Sequence, residues 1–462
     1  MLGVLACAAT RPEYGGTLRI AVSSAVTSIA PADATRVSNG TAGAISCLVF
    51  ETLVVLDSSA TPRPGLAVDW QHDATEKKWQ FQLRPGVHFH NGDPLTAITV
   101  AESLRKAGIE SIAHVAATGD TVFFEADAPL PTLPAILSQI QFAITENPGG
   151  ELVGTGPFKP ATRTDAQTIT LLANDEYWGG RPYLDGIEIN LQRPLRQQML
   201  DAELGKVDAI ELELEQVRRA EQENLTVARS QPTTLLALIF DPGRPMARAE
   251  TMRQAVALSI DRSSIWNVLL DKQGEPSATL LPQWINGYSF LFSTAGDVQA
   301  ARALQVKSPA LIVEYDFADP VTKAVAERIA VNAREAGITI QPVGEVLYGA
   351  NGRADMYVLK LPIASAEPAL TMKQVLDEIN AFNPALKFDE TQLAQMASAE
   401  KLYTFERAIL AEGTIVPLAH LPQLYGLSAR VHDWLQPAAG GWPLANVWLQ
   451  KANSSAPNGA HP

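Results

Sequence analysis

Apolar and polar residues alternate through 78–83: Trp79, Phe81 and Leu83 against Lys78, Gln80 and Gln82, the two-residue period of a half-buried strand. Pro85-Gly86 marks a turn. Val87 and Phe89 resume the alternation, and Asn91-Gly92 marks a second turn. Thr96 then stands as a helix N-cap, with Val100 and Leu104 four apart on one face behind it. Upstream, Leu18, Ile20 and Val22 share one face of a strand that follows Gly15-Gly16. Ile45, Leu48, Val49, Leu53 and Leu56 recur at helical spacing. Residues 121–126 read as a strand and 133–140 as a short helix.

The same two periods continue downstream. Leu195, Met199 and Ala202 form a helix face that ends at Gly205, and 207–210 is a strand. Residues 235–240 are an apolar strand, followed by a helix through Met252, Ala255, Val256 and Ile260. Strands at 311–315, 338–340 and 355–358 surround a helix through Val321, Val325, Ile329 and Ala336, closed by Gly337. Phe405 and Ile409 lie on the last long helix, which ends at Gly413, before strands at 415–418 and 423–426. Helices alternating with strands predict an α/β fold. Strands 235–240 and 415–418 are expected to cross between its parts.

Composition narrows the function. The chain has 462 residues, 46% of them hydrophobic and 19% charged, enough for more than one packed domain. A net charge of −14 argues against nucleic acid as a partner and against adhesion to anionic lipid. No apolar run reaches the length of a membrane span. Residues 1–11 are expected to be a signal or lipobox remnant: Val4-Leu5-Ala6-Cys7 allows lipidation at Cys7, and a leftover apolar piece is the alternative reading. Cys47 falls in the amphipathic helix pattern and is expected to be a buried small hydrophobe. Residues 452–462, rich in Pro, Ala, Gly and Ser, are expected to be a disordered tail.

The sequence carries none of the common catalytic or metal motifs. There is no Gly-x-Ser-x-Gly, His-Glu-x-x-His, Cys-x-x-Cys or P-loop. Gly154-Thr155-Gly156-Pro157-Phe158 is not a dinucleotide loop, because Pro157 has no amide for a phosphate and no third glycine follows. His88 and His90 share one face of an extended segment near Asp93, but no metal is expected there, and no cofactor elsewhere. Glu211, Glu213 and Glu215 read as a solvated acidic face. Ser23, Ser24 and Thr27 lie in the polar loop after the first strand's carboxyl end, where ligands of open α/β sheets sit. Trp284 and Tyr288, with Phe290 and Phe292, lie in a loop-like stretch and are candidates for lining a ligand cleft or for a satellite apolar cluster.

Leu83-Arg84-Pro85-Gly86-Val87-His88-Phe89-His90-Asn91-Gly92-Asp93-Pro94-Leu95-Thr96 resembles the signature of the family 5 extracellular solute-binding proteins, receptors of peptide and nickel ABC importers. The usual acidic pair after Thr-Ala is absent, with Ile98 and Thr99 in its place, so the helix start loses favourable negative charge. Gly15-Gly16-Thr17-Leu18-Arg19-Ile20-Ala21, Phe50-Glu51-Thr52-Leu53-Val54, Pro64-Gly65-Leu66-Ala67 with Trp70, Gly154–Phe158, and Asn174 to Asp185 with its Tyr177-Trp178 resemble further family segments in the family's order. So do Arg253-Gln254-Ala255 with Asp261-Arg262, and Asp355-Met356. The likeness runs from about Tyr14 to Leu449 and thins after Arg262.

That resemblance implies an α/β, bilobal, periplasmic-binding-protein-like fold of type II, cluster C-like. Lobe I would be discontinuous, 12–236 and 422–462, with an inserted subdomain at about 45–150; lobe II would be 237–421. It implies a monomer at the periplasmic or extracellular face of the cytoplasmic membrane. There it would capture a peptide-like or other small solute by hinge closure and deliver it to ABC permease transmembrane subunits. A periplasmic sensor subunit, or a hydrolase or transferase using the cleft, is the rival. Glu345, Tyr348 and Lys360 fall where the family places cleft residues. Peptide-binding relatives carry a Gly-Trp and then an acid after the Asp-Met strand; here no acid follows until Glu367. A buried ammonium without a carboxylate is costly. The expected solute is therefore neutral, anionic or conjugated, stacked on Trp284 or Tyr348, unless Glu367 swings in.

Overall fold

The computed structural model describes residues 11–34, 40–57, 61–161, 167–286, 293–307, 309–363, 365–388, 399–435 and 441–451. Its spine is one mixed sheet of eleven strands. Two of them are long, Thr226–Phe240 and Ile415–Leu427, and they pair antiparallel along nearly their whole length. At one end the pair is flanked by Met356–Pro362, Leu311–Asp316 and Ile340–Glu345. At the other it is flanked by Ala209–Leu212, Thr17–Ala21 and Gly186–Asn190. The molecule is therefore bilobal, each half an α/β body built on its own end of the shared pair.

Apolar cores lie on both faces of each half. Around the far end, alternate residues split cleanly: Leu236, Leu238 and Phe240 face the helices Glu250–Ser259 and Pro320–Glu335, while Leu235, Ala237 and Ile239 face Pro368–Phe382 and Ala399–Ala411. This is the period-two geometry of a strand buried on both sides. Leu18, Ile20 and Val22 anchor the core of the other half. Asp208 and Asp355 fasten equivalent strand starts: Asp208 accepts from the Arg19 backbone and guanidinium, and Asp355 accepts from the Ile312 N–H at 2.9 Å.

A third apolar body belongs to the four-stranded sheet Ala67–His72, Lys78–Leu83, Thr121–Glu125 and His114–Thr118. The helix Ala97–Lys106 packs on it from the predicted cap, Thr96. The missing acidic pair is made good by a hydroxyl: the Thr99 side chain bonds back to the Thr96 N–H and closes a capping box. The helix expected through Leu53 and Leu56 stops earlier. It runs Gly40–Val49, and Val54–Leu56 is a strand, because Thr52 turns its hydroxyl onto the Val54 carbonyl and the β-branched run that follows pairs with Pro62–Pro64.

The sequence signatures converge on one buried point, the Glu51 carboxylate. It accepts from Thr155 Oγ1 at 2.8 Å, Tyr177 Oη at 2.8 Å and Trp178 Nε1 at 2.9 Å, and Arg84 lies over the Trp178 ring at 4.1 Å. His90 Nε2 and Asn174 Nδ2 both meet the Gly156 carbonyl. Gly154 and Gly156 press on the end of the helix Gly40–Val49: a Cβ at Gly154 would stand 2.0 Å from the Val49 oxygen, and one at Gly156 2.5 Å from that of Leu48. These motifs hold the fold and set one helix in place.

Candidate functional site

The helix so fixed forms one wall of a cleft. Gly40, Gly43, Ala44 and Cys47 lie on one of its faces, three and four residues apart, and their small side chains leave space in front of them. The opposite wall is Thr233 and Thr234 with Pro362, Ile363, Ser365 and Ala366. Leu56, Ser138, Gln139 and Ile140 close one side, Gln423 and Gly441 the other. The cavity between them is about 160 Å³ and opens to solvent, room for a small solute or part of a larger one. Its two main walls come from the two halves of the sheet. At one edge Leu370, on the helix after Ala366, packs against the core of the third body.

Both long strands pass beside this space, and their pairing is irregular there. The register shifts between Arg229 and Pro232 and again between Pro232 and Thr234, with Pro232 opposite Pro422. Neither proline can donate to a ladder, so the strongest interstrand bonding is interrupted where the two halves join. Ser230 Oγ accepts from the Gln423 N–H, and Trp284 Nε1 donates to the Pro232 carbonyl at 2.8 Å. The Ser230–Thr233 stretch carries no apolar periodicity. The apolar pattern therefore starts the crossing strand at Leu235, nine residues late, and splits its partner into 415–418 and 423–426 where one strand runs Ile415–Leu427.

Cys47 is not the buried core residue expected. Its side chain surfaces in the cleft, while the dense walls around it desolvate the thiolate and push the thiol up to about 12. The signal for this was present in the sequence as the small-residue stripe Gly40, Gly43, Ala44. Thr233 is buried in the opposite wall, and its hydroxyl has no hydrogen-bond partner.

The residues proposed from sequence do not assemble into one site. Ser23 spends its N–H and hydroxyl on Glu211 Oε2, at 2.7 and 2.6 Å, and Ser24 accepts from Thr41. Thr27 lines a separate apolar groove with Ile29, Pro160 and Ile169. Trp284 is half-buried against the core, its indole engaged by the Pro232 carbonyl. Glu345 ends a strand, and Tyr348 is 94% exposed. Lys360 pairs with Asp319 at 2.7 Å and faces a smaller recess with Glu213, on the other face of the crossing strands from Thr233. Glu367 does not swing into the cleft: it is the N-cap of Pro368–Phe382, its carboxylate accepting from the Leu370 N–H at 2.6 Å, and burial pushes its carboxyl above the usual range. Tyr288, Cys7 and the 452–462 tail lie outside the described residues.

The acidic alternation also divides. Glu211 binds Ser23, whereas Glu213 closes a capping box with Gln216 and is held up by burial, with Lys360 opposing. His88 and His90 face a polar recess with Lys159, Asn174 and Asp175; burial pushes the His90 imidazole down. Among the described residues no cluster of three metal-ligating side chains occurs, and no helix is long and apolar enough to cross a membrane.

Comparison with known proteins gives a consistent picture. Residues 61–381 match the family model for bacterial extracellular solute-binding proteins, family 5 Middle. The nickel-binding periplasmic protein of Escherichia coli is 26% identical over 345 residues, covering 64% of this chain and 66% of that one. The protein YhjP of Bacillus subtilis is 34% identical over 153 residues, 30% of this chain and 26% of that one. The chain thus spans less than two thirds of these relatives' own lengths. Among solved structures, the ABC transporter substrate-binding protein CtaP of Listeria monocytogenes superposes with a TM-score of 0.82 at 17% identity, covering 95% of this chain and all of that one. The periplasmic binding protein DppA of Helicobacter pylori, in complex with the peptide STSA, gives 0.76 at 19%, covering 95% and 99%.

Proposed function

Because this chain belongs to the bacterial extracellular solute-binding proteins of family 5, we propose that it captures a solute between its two halves and delivers it to the membrane subunits of an ABC permease. The observation that carries this reading is the cleft itself. One wall is the helix Gly40–Val49, and the other is built on Thr233 and Thr234 beside the register shifts at Pro232 and Pro422, where the two halves of the sheet join. A solute touching both walls lowers the free energy of the closed arrangement relative to the open one, and only that difference drives closure. Relatives are described as nickel-binding and as peptide-binding, so a peptide-like or other small solute is in keeping with the family.

In this reading lobe I is 12–236 with 422–462, carrying a subdomain at about 45–150, and lobe II is 237–421; Leu235 and Leu236 already pack in the cores of the far half, and Ile45, Leu48 and Val49 in the core of Leu18 and Ile20. Solute-binding proteins of this family work outside the cytoplasm. A single acylated Cys7 would tether the chain to the outer face of the membrane, and the chain would act as a monomer. Native mass spectrometry of the protein extracted from its own cells tests these points together. The expected spectrum is the mass of one chain plus acyl chains plus a retained small molecule that gentle activation releases. A chain that carries no small molecule after extraction, and gains none from a cell extract, would contradict the receptor reading.

A further inference from the structure

The cleft wall contains a group that folding alone does not explain. Thr233 is 6% exposed, and its hydroxyl has no hydrogen-bond partner. A buried hydroxyl left unpaired opposes folding, so each such group in a native protein calls for a reason to be kept. Thr233 stands on a crossing strand in the wall of the cleft, beside the irregular register at Pro232. Turning χ1 by 120° re-aims the hydroxyl without any backbone change.

The other lining groups say what could meet it. Gln139, Gln423, Ser138 and Ser365 are neutral donors and acceptors, and Leu56, Ile140 and Ile363 supply apolar surface. No charged side chain and no aromatic ring lines the space among the described residues. Among these lining groups a zwitterionic peptide, an organic anion or a charged metal complex finds no counter-charge to offset its desolvation, and a sugar finds no ring to stack on. Two acids next in sequence or register to lining residues are engaged: Glu367, after Ala366, caps a helix, and one oxygen of Glu211, on the strand paired with 424–427, takes both donors of Ser23. Neutral amides paired with aliphatic faces match glutamine, hydroxyl and aliphatic lining groups.

Resting on the receptor reading above, we infer that the solute is an uncharged, amide-bearing small molecule, a short peptide blocked at both ends or cyclised, with Thr233 as one of the residues that read it. Calorimetry on the full chain, freed of retained solute by unfolding and refolding, tests this with N-acetyl dipeptide amides and cyclic dipeptides set against the corresponding free di- to pentapeptides. Blocked or cyclic forms are expected to bind at least about tenfold more tightly than the free forms. Thr233→Val is expected to weaken that binding about five- to tenfold, one hydrogen bond's worth, with no fall in the thermal midpoint. A merely structural hydroxyl would show the opposite split. Glu367→Gln should leave the affinity unchanged.

Tighter binding of free peptides, lost in Glu211→Gln, would overturn the inference. So would an unchanged affinity in Thr233→Val, or no binding by any member of the panel. The receptor reading is judged separately, by the small molecule retained in native mass spectrometry.

Discussion

Glu51→Ala is expected to destabilise the protein by about 3–5 kcal/mol, because it strands three donors, Thr155 buried and Tyr177 and Trp178 half-buried, that now share one carboxylate. Thr155 and the adjacent pair Tyr177-Trp178 come from two segments, both distant in sequence from Glu51, so their loss of a common acceptor loosens the joint that seats the helix Gly40–Val49. A fall of roughly 10 °C in the thermal midpoint, read by calorimetry, is the expected size for a domain of this kind. A midpoint within a degree of the parent would show that the joint is held by packing alone. The pH dependence carries a sign. Burial holds the Glu51 carboxyl above its usual range despite the three donors and Arg84. The folded state therefore grips this proton more tightly than the unfolded chain. The associated stability is complete below the unfolded carboxyl's range and is lost as pH rises through the folded value. Glu51→Gln, which cannot titrate, should make the decline of stability from pH 4 to 7 shallower.

Cys47→Phe is expected to abolish solute binding, by about a hundredfold or more, while moving the thermal midpoint by no more than about 2 °C. The Cys47 side chain surfaces in the cleft rather than in a core, and Gly441 beside it offers no side chain to pack a ring against. The ring then has only the cleft to occupy, in front of the stripe Gly40, Gly43 and Ala44. Calorimetry with the retained solute measures the affinity. Binding at parental strength would show that the solute sits elsewhere, for instance in the recess of Lys360 and Glu213.

Much of the fold could be read from periodicity and turn chemistry, and the reasons for the failures are specific. Lys78–Leu83, the Thr96 cap and the helix before Gly337 are local arrangements, set by residues close in sequence. The signature motifs were legible as words, but not their meeting at Glu51, which joins residues more than a hundred positions apart. The hinge was hidden because a proline in mid-strand argues against a strand, and here two prolines face each other at bulges. Lys360 was assigned to the cleft by its place after Asp355-Met356. Strand parity puts it on the other face, since the cleft follows Thr233 and Ile363. Glu367 before Pro368 is a helix-start pattern, and reading it as one would have removed it from the ligand candidates. The cleft wall itself is made of glycine, alanine and cysteine, whose contribution is room, which no chemical motif announces.

Hinge closure on a solute is the central claim, and small-angle scattering tests it most directly. The radius of gyration of the full chain is measured after removal of any retained solute and again after that solute is returned at saturation, with binding verified by calorimetry on the same sample. The solute-bound protein is expected to be more compact, with the loss confined to the parent and absent in Cys47→Phe. An unchanged radius in a sample shown to be fully bound would contradict capture by closure about the Pro232–Pro422 crossing.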